Sequence, residues 1–198
     1  MRILCFGDSL TVGMTSSLSH PYSAVLSKLL PKHDILNEGM GGDMVSEMGR
    51  RLDNFLADKR AKHRQAIDAV VLWGGTNDVR LGVPHDQVKA GIEECLMSCA
   101  KNEVKSIIVV TLPEMSFEMA GNGTMRDNRI KVNESILKGG LNGATYTPAD
   151  VESVLGKMFT DDGTINEDQK KEFWSDGLHL TKKGYATVGQ LIYEKLKA

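Results

Sequence analysis

Short apolar segments alternate along the chain with longer segments in which apolar residues recur every three or four positions. The short segments predict β-strands at residues 2–6, 35–37, 69–73 and 107–111, with residues 144–147 as a weaker fifth candidate. The third and fourth segments, Ala-Val-Val-Leu-Trp and Ile-Ile-Val-Val-Thr, are almost continuously apolar. Such runs are typical of parallel strands that helices cover on both faces.

The longer segments have the spacing of amphipathic helices. Four apolar stripes begin at Tyr22, Met44, Val88 and Tyr185 and end at Leu30, Leu56, Cys99 and Leu196, respectively. Thr181 is placed to cap the last of these helices at its N-terminus. Strands that alternate with helices predict right-handed crossovers, and therefore a single α/β domain over residues 1–198 with three layers, α/β/α, around a parallel sheet.

Composition and charge narrow the range of partners. The 198 residues are 41% hydrophobic and 25% charged, and 24 Lys and Arg against 26 Asp and Glu give a net charge of −2. No long block of like charge suggests a nucleic-acid partner, and apolar runs of only about five residues exclude a transmembrane segment. The apolar start of the chain is too short for a signal peptide, and Cys5, Cys95 and Cys99 lack the spacing of a disulfide framework. We therefore expect a cytoplasmic protein.

Polar and glycine residues follow each of the first three strands, at the edge where parallel sheets bind ligands. Ser9 follows the first strand and offers a hydroxyl nucleophile, and near the C-terminus Asp176 precedes His179 by three residues. In a tight turn this spacing lets a carboxylate orient the imidazole, whose other nitrogen then acts as a base. Each residue alone is more typical of a helix cap or a surface position, but together they supply parts that acyl transfer requires.

Three hydrogen-bond donors are expected beside this nucleophile. Gly42 follows the second strand just before a predicted helix, so its backbone N–H is placed to point at an anion. Asn77 follows the third strand and adds a side-chain amide, and the backbone N–H of Ser9 is the third donor. Because such donors stabilise the oxyanion of a tetrahedral intermediate, we predict an oxyanion hole formed by Ser9, Gly42 and Asn77.

Four sequence blocks resemble, in order, those of the SGNH hydrolase family, also called GDSL esterases and lipases. They are Gly7-Asp8-Ser9-Leu10, residues 37–42, Gly75-Thr76-Asn77-Asp78 and Asp176-Gly177-Leu178-His179. The resemblance implies that Ser9 is the nucleophile, with His179 as its base and Asp176 as the acid of the triad. It also implies that Gly42 and Asn77 are oxyanion donors, that five parallel strands follow a flavodoxin-like order, and that the substrates are carboxylic esters.

These residues predict a serine hydrolase that forms an acyl-enzyme on Ser9 and acts on a small-molecule ester, a chemistry that needs no metal or organic cofactor. A thioesterase, a lysophospholipase or an acyltransferase would use the same residues. A non-catalytic ligand-binding protein of the same fold is a further alternative. The nucleophile motif of the α/β-hydrolases, Gly-x-Ser-x-Gly, is absent because Leu10 and Thr11 follow Ser9.

Residues in and near these blocks are candidates for substrate binding: Asp8, Leu10, Met14, Met40 and Leu178. The two methionines fall in predicted loops, and their flexible side chains suit an apolar acyl pocket. An apolar pocket favours esters with short or medium acyl chains. Residues 112–124 and 160–172 are expected to border or cover the cleft, because loops at the sheet edge often carry such roles.

Overall fold

A five-stranded parallel β-sheet forms the centre of the computed structural model, which describes residues 1–16, 18–58, 66–119 and 123–197. The strands are β1 (Arg2–Gly7), β2 (Asp34–Gly39), β3 (Ala69–Trp73), β4 (Ser106–Val110) and β5 (Thr147–Ala149). Their order across the sheet is β2-β1-β3-β4-β5, and each neighbouring pair is parallel. Because β1 lies between β2 and β3, the loops that follow these three strands meet at one edge.

Helices connect the strands and cover both faces of the sheet. In the described part of the chain they are α1 (Ser9–Val12), α2 (Tyr22–Leu29), α3 (Val45–Ala57), α4 (Thr76–Arg80), α5 (His85–Lys101), α6 (Thr124–Leu137), α7 (Glu152–Leu155), α8 (Glu167–Phe173) and α9 (Lys182–Lys197). Helix α2 packs against α9 on one face, and α3 packs against α5 on the other. None of these helices is long and apolar enough to cross a membrane.

The alternation of side chains along the strands builds two hydrophobic cores, one on each face of the sheet. In β1, Ile3 and Cys5 face the core beneath α2 and α9, whereas Leu4 and Phe6 face the core beneath α3 and α5. All four side chains are fully buried, and burial of one leucine side chain contributes roughly 2 kcal/mol to folding. The predicted three-layer α/β fold with a flavodoxin-like strand order is confirmed.

The fifth strand begins at Thr147 and not, as predicted, at Ala144. Within the predicted segment, the hydroxyl of Tyr146 donates hydrogen bonds to the carbonyl oxygens of Ser135 and Ile136, at 3.3 and 2.9 Å. The residues before Thr147 therefore brace the end of α6 instead of extending the sheet. The strand itself contains a proline without an N–H group, which the edge position of β5 tolerates.

Helix α6 is absent from the predicted elements, because polar side chains occupy part of its buried face. Asn133 accepts a hydrogen bond from the backbone N–H of Leu112 at 2.8 Å and donates one to its carbonyl oxygen at 2.9 Å. Arg129 is buried between two acidic residues, with ion pairs of 3.3 Å to Glu114 and 2.8 Å to Glu118. These contacts fix the segment that follows β4 against α6.

Candidate active site

The turn after β1 brings Ser9 to the carboxyl edge of the sheet. Gly7, the last residue of β1, has no room for a side chain, since a Cβ there would lie 2.0 Å from the carbonyl oxygen of Trp73. Asp8 caps the short helix α1, and its Oδ1 accepts a hydrogen bond from the backbone N–H of Leu10 at 2.9 Å. Ser9 is the first residue of α1 and is 6% exposed, in the lining of a cleft.

The hydroxyl of Ser9 lies within hydrogen-bond distance of a histidine in the loop that precedes α9. His179 Nε2 lies 3.0 Å from Ser9 Oγ, and His179 Nδ1 lies 2.7 Å from Asp176 Oδ2. Asp176 Oδ1 also accepts hydrogen bonds from the backbone N–H groups of Leu178 and His179, at 3.0 and 2.7 Å. A continuous hydrogen-bonded chain thus joins a hydroxyl, an imidazole and a carboxylate, an arrangement able to activate a serine.

The loop that carries the imidazole and the carboxylate is anchored at both ends. The backbone N–H of Ser116 donates a hydrogen bond to the carbonyl oxygen of Gly177 at 2.8 Å. The indole N–H of Trp174 donates one to the carbonyl oxygen of Glu114 at 3.0 Å. At its other end, Thr181 Oγ1 accepts a hydrogen bond of 3.1 Å from a backbone N–H in the first turn of α9, as the predicted cap. The segment after β4 and helix α9 therefore hold the loop in position.

The pKa of Asp176 lies below its ordinary value. Partial burial by itself raises the pKa of this carboxyl, but hydrogen bonds from the side chain and backbone of His179 and from the backbone of Leu178 outweigh that effect. The carboxyl is therefore ionised at neutral pH. Its negative charge holds the Nδ1 proton of His179 and stabilises the imidazole when it becomes protonated.

The turn after β2 presents the first of the predicted oxyanion donors. Gly42 is the third residue of this turn, which is closed by a 3.2 Å hydrogen bond from the N–H of Asp43 to the carbonyl oxygen of Met40. Its φ of 79° lies in the left-handed region, which glycine adopts without strain. Because α3 begins only at Val45, this turn and not a helix N-terminus orients the Gly42 N–H. Among the described residues, the backbone N–H groups of Gly42 and Ser9 donate to no protein acceptor.

Asn77 lies in α4, after β3, and its amide reaches the turn after β2. One amide N–H donates to the carbonyl oxygen of Asp43 at 3.0 Å, which leaves the second N–H for a ligand in the cleft. The carboxylate of Asp43 is bound by Arg51, with N–O distances of 2.9 and 2.7 Å. Arg51 also donates to the carbonyl oxygens of Gly7 at 3.0 Å and Glu38 at 2.8 Å. It therefore ties the ends of β1 and β2 to the turn that carries Gly42.

Arg51 is not among the residues predicted from the sequence, although the pattern of α3 contains a sign of its role. It lies three residues after Met48 and four before Phe55, within the apolar stripe of α3. Residues at this spacing share one face of a helix. A charged residue on a buried face requires a partner, and here the partners are a carboxylate and two strand-end carbonyl groups.

A profile of the GDSL-like Lipase/Acylhydrolase family matches residues 5–187. The chain belongs to this family. It is therefore an acylhydrolase, an enzyme that hydrolyses carboxylic esters. No curated protein sequence shows significant similarity to the chain.

Solved structures of low sequence identity share the fold of this acylhydrolase. A member of the lipolytic protein G-D-S-L family from Veillonella parvula is 17% identical, with a TM-score of 0.73 and coverage of 99% of this chain and 98% of that chain. The lipase/acylhydrolase from Enterococcus faecalis is 20% identical, with a TM-score of 0.70 and coverage of 99% and 95%. A carbohydrate esterase family 3 from Talaromyces cellulolyticus is 17% identical, with a TM-score of 0.68 and coverage of 99% and 96%.

A cleft of about 750 Å³ opens over Ser9 in the acylhydrolase. Besides the predicted catalytic residues and oxyanion donors, its lining contains Met14, Gly41, Arg80, Phe117 and Leu178. Met14 and Leu178 were expected to lie here, and Phe117 belongs to residues 112–124, which were expected to border the cleft. Arg80, at the end of α4, was not expected here. Among the described residues, no group of three or more His, Cys, Asp or Glu is arranged to hold a metal ion.

Asp8 and Leu10 do not line the cleft, and the prediction that they bind substrate is wrong. Both side chains are buried. The Asp8 carboxylate caps the N-terminus of α1 in the protein interior, and Leu10 packs into the hydrophobic core. Asp8 Oδ2 has no hydrogen-bond partner among the described residues. Burial, together with the negative charges of Asp78 and Asp43, raises the pKa of Asp8 to about 7.

Two further predictions about the cleft are corrected. Met40 is 50% exposed and lies outside the cleft, because it lines a separate surface groove with Glu47 and Arg50 of α3. Of the two loop segments, residues 112–124 contribute Phe117, while residues 120–122 lie outside the described residues. No described residue in 160–172 lines the cleft, since this segment forms a turn and helix α8.

Proposed function

We propose that the acylhydrolase cleaves esters in two steps through an acyl-enzyme on Ser9, with His179 and Asp176 completing a catalytic triad. The observation that supports this proposal is the hydrogen-bonded chain from Ser9 Oγ through His179 to Asp176, with distances of 3.0 and 2.7 Å. Capping of α1 does not require this chain, because the side chain of Asp8 already caps the helix. The hydrogen bonds from Ser9 through His179 to Asp176 therefore favour a catalytic role for Ser9.

In the first step, His179 Nε2 accepts the proton of the Ser9 hydroxyl as Oγ attacks the carbonyl carbon of the ester. The carboxylate of Asp176 stabilises the imidazolium that results. His179 then gives this proton to the leaving alkoxide oxygen, the ester C–O bond breaks, and the acyl group remains on Ser9. In the second step, water loses a proton to His179 and attacks the acyl-enzyme, and His179 returns the proton to Ser9 Oγ as the acid leaves.

The oxyanion that forms in both steps is stabilised by the backbone N–H groups of Ser9 and Gly42 and by the side-chain amide of Asn77. All three residues line the cleft. The two backbone N–H groups have no acceptor among the described residues, and the Asn77 amide has one N–H to spare. Loss of a single donor of this kind raises an activation barrier by roughly 3 kcal/mol.

The walls of the cleft favour an apolar acyl group. Met14, Phe117 and Leu178 contribute apolar surface next to the proposed nucleophile. A volume of about 750 Å³ lies within the range of small-molecule pockets. We infer that esters with short or medium acyl chains are the preferred substrates.

Hydrolysis of p-nitrophenyl esters from acetyl to palmitoyl tests this proposal. The wild type is compared with Ser9→Ala and with Ser46→Ala, a control at an exposed serine in the first turn of α3. We expect Ser9→Ala to abolish turnover, Ser46→Ala to retain it, and the rate to be highest with a short or medium acyl chain. Turnover by a clean preparation of Ser9→Ala at the wild-type rate would refute the mechanism. A maximum at palmitoyl would refute the acyl preference alone.

A further inference from the structure

Arg80 is a cationic residue of the cleft for which the proposed mechanism has no role. It is the last residue of α4 and lies three positions after Asn77, so both residues share one face of the helix. Its side chain is exposed, and it contributes to the lining of the cleft together with Ser9 and His179. Arg80 and Asn77 therefore reach the same cleft from one helix.

The charge of Arg80 is unpaired in the described part of the protein. Its guanidinium group makes no ion pair or hydrogen bond with any described residue. Asp176 is the one carboxylate in the described lining of the cleft, and it is already bound to His179. By contrast, Arg2, Arg51 and Arg129 each pair with a carboxylate. Arg80 thus brings an uncompensated positive charge to the cleft.

The surroundings of Arg80 suit an amphiphilic ligand. Phe117, Met14 and Leu178 line the same cleft with apolar surface. A guanidinium group binds carboxylate and phosphate oxygens through two parallel N–H donors, and this geometry makes arginine the preferred residue for such groups. A substrate with an apolar acyl part and one anionic group would match both features of the cleft.

We propose that Arg80 selects esters that carry an anionic group, a carboxylate or a phosphate, within reach of the oxyanion site. This inference rests on the proposed function, because it assigns the substrate class of the same cleft. The anionic group is held by the guanidinium group of Arg80 while the ester carbonyl lies at Ser9 and the apolar part contacts Phe117 and Met14. Arg80 then acts as a specificity-determining residue and takes no part in proton transfer.

Matched pairs of anionic and neutral esters test this role. The first pair places the charge on the acyl group: the 4-nitrophenyl monoester of adipate and 4-nitrophenyl hexanoate. The second places it on the leaving group: the butyrate esters of 4-hydroxybenzoate and of 4-hydroxybenzamide. A fifth ester, the butyrate of 4-hydroxyphenyl phosphate, replaces the carboxylate by a phosphate and is paired with the same neutral ester, the butyrate of 4-hydroxybenzamide. For each pair, the measured quantity is the ratio of kcat/KM for the anionic ester to kcat/KM for the neutral ester.

Three variants are compared with the wild type: Arg80→Gln, Arg80→Lys and Arg50→Gln. Arg50 is an exposed arginine of α3 outside the cleft, so its substitution changes the net charge equally without changing the cleft. We expect Arg80→Gln to lower the ratio by about tenfold to a hundredfold for at least one position of the anion, the usual effect of losing a hydrogen bond to a charged group. Arg80→Lys should retain part of the preference, and Arg50→Gln should retain all of it.

Each outcome decides a different claim. If Arg80→Gln leaves the ratio within twofold of the wild type for every anionic ester, while neutral esters are hydrolysed in a Ser9-dependent reaction, the inference about Arg80 is overturned and the proposed function stands. If no ester is hydrolysed in a Ser9-dependent reaction, the proposed function itself fails. A lower ratio for the phosphate ester alone assigns phosphate as the anion, and a lower ratio for the adipate monoester assigns an acidic acyl group.

Discussion

Replacing Asp176 by asparagine changes one atom of the proposed triad and reverses the hydrogen bond that orients His179. The carboxylate makes one hydrogen bond through Oδ2, to His179 Nδ1 at 2.7 Å, and two through Oδ1, from the backbone N–H groups of Leu178 and His179. An asparagine whose amide oxygen occupies the Oδ1 position keeps both backbone hydrogen bonds, so the loop should keep its conformation. Its amide nitrogen then donates to Nδ1, and the imidazole proton must move to Nε2.

With a proton on Nε2, His179 faces Ser9 Oγ as a donor and is unable to accept the hydroxyl proton. The same change in the triad of a serine protease lowers kcat by about 10⁴-fold, which corresponds to roughly 5 kcal/mol in the activation free energy. Loss of the Asp176 charge also removes the stabilisation of the imidazolium. We therefore expect Asp176→Asn to lower kcat by about 10⁴-fold with a much smaller effect on KM.

The assay measures kcat and KM for a p-nitrophenyl ester that the wild type hydrolyses well, near neutral pH, for wild type, Asp176→Asn and Asp168→Asn. Asp168 is an exposed residue in the first turn of α8, away from the cleft, and controls for the loss of one negative charge. Circular dichroism and thermal unfolding show whether each variant is folded. A folded Asp176→Asn enzyme with kcat within tenfold of the wild type would refute the role assigned to this hydrogen-bonded chain.

Two other substitutions test the proposed oxyanion hole and the buried carboxyl group of Asp8. Asn77→Ala should lower kcat by about a hundredfold to a thousandfold, because it removes an oxyanion donor; steady-state kinetics with a loss below fivefold would contradict that role. Asp8 has a pKa of about 7 in the folded protein against an ordinary value of 3.8, so the folded state binds more protons between these values. The free energy of unfolding should therefore fall as pH rises from about 4 to 7, by up to about 4 kcal/mol from Asp8. Asp8→Asn keeps an oxygen to cap α1 and should reduce this pH dependence. Urea denaturation at pH 5 and pH 8 gives the free energy of unfolding of both proteins. An equal decrease in the wild type and in Asp8→Asn would show that Asp8 is not the source of the pH dependence.

The central strands of the fold follow from the sequence because burial on both faces leaves a distinct pattern. All five residues of β3, Ala69–Trp73, are buried, and the apolar run of the sequence has the same bounds. Strand β5 has no such run, since it is an edge strand of three residues with Pro148 in its middle. Helix α6 lacks an apolar stripe because Arg129 and Asn133 are buried with polar partners that are remote in sequence. Pairing of this kind is a tertiary property that periodicity does not report.

The candidate site likewise contains residues that the sequence predicts and residues that it does not. Ser9, Asn77 and the Asp176–His179 turn are predictable because each lies at a strand end or in a short turn, where spacing along the chain fixes distance in space. The walls of the cleft are predictable in part, because Met14, Leu178 and the segment that contains Phe117 were expected there. Arg80 was not, because it reaches the cleft from a helix whose direction depends on packing. Asp8 shows the opposite error. As a polar residue next to Ser9 it was expected to face substrate, but its side chain caps α1 and is buried in the interior.

Labelling with a p-nitrophenyl alkylphosphonate identifies the proposed nucleophile, because the phosphonyl group transfers to an activated nucleophile and stays there. The alkyl chain is matched to the best acyl chain of the ester series, and the labelled protein is digested and analysed by mass spectrometry. We expect one phosphonyl group per chain, attached to Ser9, with loss of esterase activity in proportion to labelling and no label in Ser9→Ala. Inactivation with the label on another residue, or equal labelling of Ser9→Ala, would contradict this expectation.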